Sequence, residues 1–394
     1  MLSRLLARQK LYDAIIILGL LAAVTALVRF PQESVQAASD GLTLSFNVII
    51  PSLFPFFVLS TLMVQLGLTQ YFGRVLEPIM RPLFNVGGAC SSAFVLGFVG
   101  GYPVGAKTAV ALYENGQISR VEVERLLAFS NNSGPAFILG VVGISIFASS
   151  RVGLLLYAAH AAASILVGIL FRRWGVRRPG GGRRQREPIQ AVRFSQAFIG
   201  SVTGAFRSTL NICGFVIFFT VFIRLLFLAG AIPAIAGLLG DLLAGLGFDA
   251  GWASFLLIGL IELSSGVWSL RDVAGQVPSA IAMAAFMLGW AGLSVHCQVL
   301  SFIGGSGLSV RSYILGKFLH GGISAGLIFL LMRLAPFDIP VAATLAESVY
   351  GIAATDFSTS IRISSLSATG LWLAVMLVCL FSTKRARQRQ RNAI

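Results

Sequence analysis

The residues of this sequence best suited to chemistry are polar side chains set inside apolar runs. Residues 129–140 read FSNNSGPAFILG and bring Asn131, Asn132 and Ser133 to the middle of a run long enough to cross a bilayer. The Gly-Pro pair that follows removes a helix hydrogen-bond donor, and unpaired backbone groups are costly in lipid. The motif therefore predicts a broken helix, either as a packing kink or around a site for a solute or an ion.

A second polar motif, WAGLSVHCQVL, occupies residues 290–300 of a later apolar run. It contains Ser294, His296 and Gln298, and a histidine in that setting could bind a carboxylate or shuttle a proton. His160 stands alone in its own apolar run, where a hydrogen-bonded structural histidine is favoured over a proton carrier. We therefore expect the substrate to bind between the two polar motifs.

Three charged residues could each either belong to a functional site or have a purely structural role. Glu262, in LIELSSG, would cost about 2.5 to 3.5 kcal/mol at the centre of a spanning helix. Its carboxylate could hold Na⁺, exchange a proton or pair with an arginine, and Ser264 and Ser265 follow it at a predicted hairpin tip. Lys107 and Arg207 are each interpreted either as partners of an anionic substrate or as cations that snorkel to the membrane surface.

No catalytic centre is predicted. The three histidines form no HExxH motif, and the sequence has neither GxSxG nor GxxxxGK[ST]. The four cysteines are far apart and lack metal-ligand spacing, so neither a zinc site nor a disulfide framework is expected. We predict a non-enzyme without cofactor or bound metal, and leave open a coupling ion, Na⁺ or H⁺.

Composition identifies the class of protein. Of the 394 residues, 56% are hydrophobic and only 11% charged, which predicts an all-α polytopic membrane protein. The net charge of +15 is concentrated in a loop at residues 172–194 and in the carboxyl-terminal tail. Such clusters could bind nucleic acid, but beside membrane spans the positive-inside rule explains them first. Both clusters and both termini are therefore placed in the cytoplasm, and no nucleic-acid partner is expected.

Glycine and proline patterns predict how the polar motifs are positioned. Residues 90–113 have a GGYPVG tip, with Gly101 and Tyr102, between two arms too short to span, which indicates a re-entrant helical hairpin. Residues 252–270 are predicted as a second hairpin. Between the first hairpin and the broken motif, Ser119 and Glu122 match a capping box at a helix start.

The order of predicted elements repeats after the basic loop, at a constant offset of 161 residues. Counting membrane crossings gives eight spans and two hairpins, with two halves of opposite orientation. The predicted spans are residues 11–28, 42–67, the segment with the first broken motif, 151–171, 196–228, 278–303, 311–333 and 367–383, with interfacial stretches at 71–85 and 232–247. The predicted domains are an N-terminal span and exit loop at 1–40, a first repeat at 41–171, the basic loop at 172–194, a second repeat at 195–334, and a loop, last span and basic tail at 335–394.

Several blocks of this sequence resemble the sporulation integral membrane protein YlbJ family, whose members carry a nucleoside-recognition Gate domain. The blocks are SLFPFF (52–57), LEPIMRPLF (76–84), GGYPVGAK (100–107), ERLLAFSNNSGPAFILG (124–140) and GLSVHCQV (292–299). The resemblance implies a fold related to concentrative nucleoside transporters, with two re-entrant hairpins and two broken helices. It also implies a role in spore formation, moving dipicolinic acid out of the mother-cell cytoplasm across the outer forespore membrane. This chain has Ser-Gly-Pro where the family pattern has Ser-Asn-Pro.

We therefore expect a bacterial cell-membrane transporter that moves a small anionic metabolite by alternating access, with dipicolinate as the implied substrate. One alternative is a Na⁺- or H⁺-coupled carrier of a nucleoside or nucleobase, since a neutral solute could use the same amides without a cation. A second is a non-transporting scaffold or gate that docks through the arginine-rich loop. The expected partners are the solute and the lipid bilayer, and a homo-oligomer is left open.

Overall fold

A computed structural model describes residues 2–66, 69–175, 193–245, 249–272 and 277–334. Within these ranges the chain is helical and contains no strand, which confirms the all-α prediction. The predicted last span and tail, and most of the basic loop, lie outside the described residues. The helices are α1 Leu2–Arg29, α2 Pro31–Leu44, α3 Ile50–Gln65, α4 Thr69–Phe84, α5 Ser91–Gly100, α6 Val104–Glu114, α7 Arg120–Phe129, α8 Ser150–Phe171, α9 Phe194–Leu228, α10 Ala231–Gly245, α11 Trp252–Ile261, α12 Leu263–Ser269, α13 Val277–Trp290, α14 Gly292–Ile303 and α15 Arg311–Leu334.

Several of these helices can cross a membrane by length and apolarity. Four qualify, namely Ser150–Phe171, Phe194–Leu228, Pro278–Ile303 and Arg311–Leu334. Two bent pairs raise the number to six within the described ranges if each pair is one span. The chain is therefore an integral membrane protein, and its broken and bent helices match the predicted class of fold.

The amino-terminal region differs from the sequence-based prediction. The predicted exit loop before residue 41 is instead helix α2, which lies at 99° to the end of α1. Pro31 occupies the first turn of α2, where its missing N–H costs nothing, and so starts a new helix in place of a loop. A single π-helical turn, Ser45–Ile49, lies directly before α3, which contains Pro55.

The predicted hairpin at residues 90–113 is present as the packed helices α5 and α6. Its arms cross where Gly97 and Gly105 lie backbone to backbone, and its tip turns at Gly101, whose φ of +74° favours glycine. Helices α11 and α12 form the second hairpin, with Gly259 packed directly against Gly266. Both hairpins therefore depend on a pair of glycines that lets their arms approach closely.

Each hairpin packs on a broken helix. In the first half, α7 ends at Phe129 and the helix resumes as the π-helix Ala136–Ile146, while the hairpin tip at Gly101 contacts Gly134 in the break. In the second half, Ala291 and Gly292 adopt left-handed conformations between α13 and α14. A Cβ atom on Gly292 would lie 2.9 Å from the backbone N of Leu263, at the tip of the second hairpin. The two halves thus repeat one arrangement, a hairpin tip against a helix break.

Candidate functional site

Hydrogen bonds from side chains of α8 and of the break itself satisfy the backbone at the first helix break. Phe129 is the last residue of α7, and its carbonyl accepts from Ser164 Oγ at 2.7 Å and from Asn132 Nδ2 at 3.0 Å. The Ser133 N–H donates to His160 Nε2 at 3.0 Å. Backbone groups freed by the break are thus partnered within the protein, as a break at membrane depth requires. His160 therefore has the structural contact that the sequence favoured.

Helix α15 brings a lysine to this break. Lys317 is fully buried, and its Nζ donates to the Asn131 carbonyl at 2.8 Å. Close backbone contacts place the helix there, because a Cβ atom on Gly316 would lie 2.4 Å from the Ala128 carbonyl oxygen of α7. One turn further along, Gly321 packs on Gly289 of α13. The lysine is fixed where α15 crosses both other helices.

Lys317 belongs to a buried cluster of titratable groups. Its Nζ lies 3.4 Å from His320 Nδ1 and 5.1 Å from the centre of the Tyr102 ring at the first hairpin tip. His320 Nε2 donates to the His160 carbonyl at 2.9 Å, and the two imidazoles pack with their centroids 4.3 Å apart. Tyr102 in turn donates to the Leu288 carbonyl of α13, which joins the two halves.

The second polar motif is joined to the first through Tyr313. The phenol lies 2.9 Å from His296 Nδ1 and accepts from Asn131 Nδ2 at 3.4 Å. Trp290 packs edge-on against His296, with ring centroids 4.4 Å apart. The predicted convergence of residues 129–140 and 290–300 is therefore present as one hydrogen-bonded chain from Asn131 to His296.

Many polar atoms at this junction are buried without a hydrogen-bond partner. Buried polar atoms in proteins are nearly always hydrogen-bonded, so a concentration of exceptions at one place indicates a site for a ligand or for water. The unpartnered atoms at the two breaks are Asn131 Oδ1, Asn132 Oδ1, Ser130 Oγ, Ser133 Oγ, His160 Nδ1, Ser294 Oγ and His296 Nε2. Both halves of the chain contribute to this set, which we call the junction cluster together with Lys317, His320 and Tyr313.

Glu262 has a role that the sequence did not predict. Its carboxylate is buried and accepts from the Ser264 N–H at 3.0 Å and the Ser265 N–H at 2.6 Å, and so caps α12 at the hairpin tip. Its backbone lies beside Gly292, so the tip of the second hairpin borders the second break. The side chain pairs with backbone donors, and no ion pair with an arginine is found for it in the described parts of the chain.

The other predicted cations lie away from the junction cluster. Lys107 is partly buried between α6 and α9, where its Nζ donates to Ser208 Oγ at 2.6 Å and lies over the Phe57 ring. Arg207 is exposed on α9 between the apolar side chains of Phe206 and Leu210, a position that suits snorkelling. Gln298 is buried one turn after Ser294 on the same face of α14.

Three members of the cluster that lie outside the two polar motifs were missed by the sequence reasoning: Tyr313, Lys317 and His320. A signal exists in the stretch LGKFLHGG, where Lys317 and His320 lie three residues apart near the middle of an apolar helix.

Among the described residues no group of three His, Cys, Asp or Glu side chains is arranged to hold a metal ion. The cluster is therefore a set of hydrogen-bonding and cationic groups.

Comparisons with known proteins identify the family of this chain. Residues 46–171 match the Gate family model, described as nucleoside recognition. The chain is 30% identical over 324 residues to the sporulation integral membrane protein YlbJ of Bacillus subtilis, covering 78% of this chain and 79% of that protein. A solved structure of CNTnw in an outward-facing state aligns with 83% of this chain and 87% of its own at 12% identity and a TM-score of 0.45, a likeness too distant to carry an assignment. On its identity to YlbJ over most of both proteins, the chain belongs to the sporulation integral membrane protein YlbJ family.

Proposed function

We propose that this protein carries a small anionic metabolite across the membrane by alternating access, and that the substrate is dipicolinate during sporulation. The observation that carries the proposal is Lys317, a fully buried lysine at the meeting point of the two broken helices. In the described ranges no carboxylate lies within 4.0 Å of its Nζ. A buried ammonium without a counter-ion is strongly disfavoured, and a bound anion supplies the missing charge.

The donors around the lysine suit a carboxylate ligand. An ammonium has three N–H groups, and two of them are occupied by the Asn131 carbonyl and His320 Nδ1. His160 accepts at Nε2, so its neutral form carries the proton on the unpartnered Nδ1. Tyr313 can donate to His296 Nδ1, which leaves His296 Nε2–H free in the same way. These donors, with the hydroxyls of the junction cluster, match the acceptors of a small aromatic dianion such as dipicolinate.

The position of the cluster supports alternating access. Its members come from the first repeat, residues 41–171, and from the second, residues 195–334. Four hydrogen bonds join the two repeats there, and a change of conformation would have to exchange them: Tyr102 to Leu288, Asn131 to Tyr313, Lys317 to Asn131 and His320 to His160. A movement of one half against the other would open the cluster to one face while closing it to the opposite one. Dipicolinate would be taken from the mother-cell cytoplasm and released across the outer forespore membrane.

A nucleoside remains the second candidate, favoured by the Gate description of residues 46–171 as nucleoside recognition. The unpartnered amide oxygens of Asn131 and Asn132 would accept from sugar hydroxyls or from base N–H groups. A neutral solute, however, makes no use of a positive charge at Lys317. The candidates therefore differ in how much they depend on that lysine.

Reconstituted protein tests the proposal directly. We expect purified full-length chain in proteoliposomes to take up dipicolinate in preference to uridine. Lys317→Met should abolish dipicolinate flux because it removes the positive charge from a site of similar shape. Arg333→Gln, which changes an exposed arginine at the end of the same helix, is the matched control and should keep wild-type flux. Uridine flux that survives Lys317→Met would support the nucleoside carrier, and absence of flux for both solutes would support a scaffold.

A further inference from the structure

Three buried titratable side chains form a short chain behind the first helix break. Lys317 Nζ contacts His320 Nδ1, and His320 Nε2 donates to the backbone carbonyl of His160. That donation places the neutral tautomer's proton on His320 Nε2 and leaves the Nδ1 lone pair facing the lysine. His320 is therefore built to accept from Lys317, whether the lysine is an ammonium or a neutral amine.

The groups that face Lys317 include no acid among the described residues. Helix α8 contributes His160, and the first hairpin contributes the Tyr102 ring. His296 of α14 is joined to α15 through Tyr313, and the break after α7 contributes the Asn131 carbonyl. The described residues of α13, which packs along α15, include no titratable side chain. Nothing described near the lysine can neutralise its charge.

The protonation state of Lys317 must then depend on what occupies the site. With no anion present, complete burial disfavours the charged ammonium. A carboxylate at the free N–H favours the ammonium, because opposite charges in a dry site attract strongly. Since linkage is reciprocal, an anion that promotes protonation is itself bound more tightly by the protonated protein.

We propose that Lys317, positioned by His320, is the proton-coupling site of this transporter, so that each carboxylate substrate crosses the membrane together with a proton. This inference rests on the function proposed above and adds the coupling ion. On the loading side, water gives a proton to the Lys317 amine as the anion binds. On the release side, the anion leaves and the ammonium returns the proton to water. Only an N–H bond is made and broken, and no free metal cation is needed.

Calorimetry of wild-type protein tests the coupling without any mutation. Dipicolinate binding is measured in two buffers of different ionisation enthalpy at the same alkaline pH, and the difference gives the protons exchanged. We expect uptake of about one proton for each dipicolinate bound. Binding with no proton uptake at either neutral or alkaline pH would overturn the coupling and leave the proposed function intact. Absence of any dipicolinate binding or flux would overturn both.

Two variants separate coupling from simple attraction. Lys317→Arg keeps a positive charge that cannot be removed, so dipicolinate should still bind but with no proton uptake. His320→Gln retains a donor for the His160 carbonyl but cannot be protonated, and we expect dipicolinate binding to weaken most at alkaline pH, where the positioned ammonium is hardest to form. In proteoliposomes with an internal pH dye, a dipicolinate gradient should move protons with the anion for wild type and Arg333→Gln but not for Lys317→Arg. Flux that requires Na⁺ and ignores an imposed pH gradient would refute the proposal.

Discussion

Replacing Gly97 with alanine tests whether close packing of the first hairpin on the broken helix stabilises the protein. A Cβ atom on Gly97 would lie 1.9 Å from the Ser130 carbonyl oxygen, and a Cβ atom on Gly105 would lie equally close to the same atom. That carbonyl is therefore inserted between the two arms of the hairpin, near enough for Cα–H···O contacts. Non-bonded carbon and oxygen atoms are normally about 3.3 Å apart or more, so either substitution forces the hairpin and the break to separate by roughly 1.4 Å.

The cost can be worked from these contacts. The steric clash of the added methyl group with the backbone should cost about 3 kcal/mol. This lies in the upper part of the usual range for overpacking, because a backbone atom cannot move aside as a side chain can. A shift of this size at Ser130 also pulls the adjacent Asn131 carbonyl from Lys317, now 2.8 Å away, and a hydrogen bond to a charged group contributes roughly 1.5 to 3 kcal/mol. Alanine has a higher helix propensity than glycine, and this offsets up to about 1 kcal/mol of the cost. The net expectation is about 3.5 to 6 kcal/mol of destabilisation.

The assay compares Gly97→Ala with Gly214→Ala, whose added methyl group has open space on the exposed face of α9. Thermal unfolding of detergent-purified protein is followed together with dipicolinate uptake in proteoliposomes. Gly97→Ala should unfold at a clearly lower temperature and lose uptake, while Gly214→Ala should match wild type or exceed its stability. Equal unfolding temperatures and equal uptake for the two variants would show that this packing contact does not stabilise the protein.

Further substitutions test other contacts in the same way. Gly289→Ala should destabilise the protein by about 1 to 3 kcal/mol, because its Cβ would lie 2.5 Å from the Gly321 Cα, whereas Gly322→Ala meets open space and should be neutral in thermal unfolding. Glu262→Ala should cost roughly 0.5 to 2 kcal/mol through loss of the α12 cap, and Glu262→Gln should restore most of it; equal stability of the two would contradict the capping role. Tyr313→Phe should weaken dipicolinate binding by about tenfold with little change in unfolding temperature, because it cuts the link between the two polar motifs. Unchanged binding would remove Tyr313 from the site.

Features marked by local chemistry could be predicted from the sequence. The glycines at the turn and at the arm crossing of residues 90–113 are best explained by a hairpin. The structure contains this hairpin. The Gly-Pro pair after Ser133 likewise predicted a broken helix, and the capping box at Ser119 is formed as expected. Each of these depends on a few neighbouring residues, so tertiary packing had little to override.

The cationic centre of the site could not be predicted in this way. Lys317 lies in an apolar helix, where a lysine usually reaches the membrane surface, and only the crossings at Gly316 and Gly321 keep it inside. Those crossings involve α7 and α13, distant in sequence. Conversely, Arg207 was a reasonable candidate by composition, and the rotation of α9 leaves it exposed. The direction in which a helix face points is set by its neighbours.

The contrast between backbone and side chains at the junction is itself an argument for function. Close glycine contacts fix the crossings of hairpins, breaks and α15, and the backbone carbonyls of Phe129 and Asn131 are fully engaged. Side-chain atoms a few ångströms away, such as Asn131 Oδ1 and His296 Nε2, have no partner. A network kept only for stability gains from complete hydrogen bonding, since each unpaired buried group costs about 1 to 3 kcal/mol. A rigid frame that holds unpaired polar groups and a buried lysine in place is what a binding site requires, because the ligand completes the bonds and supplies the charge.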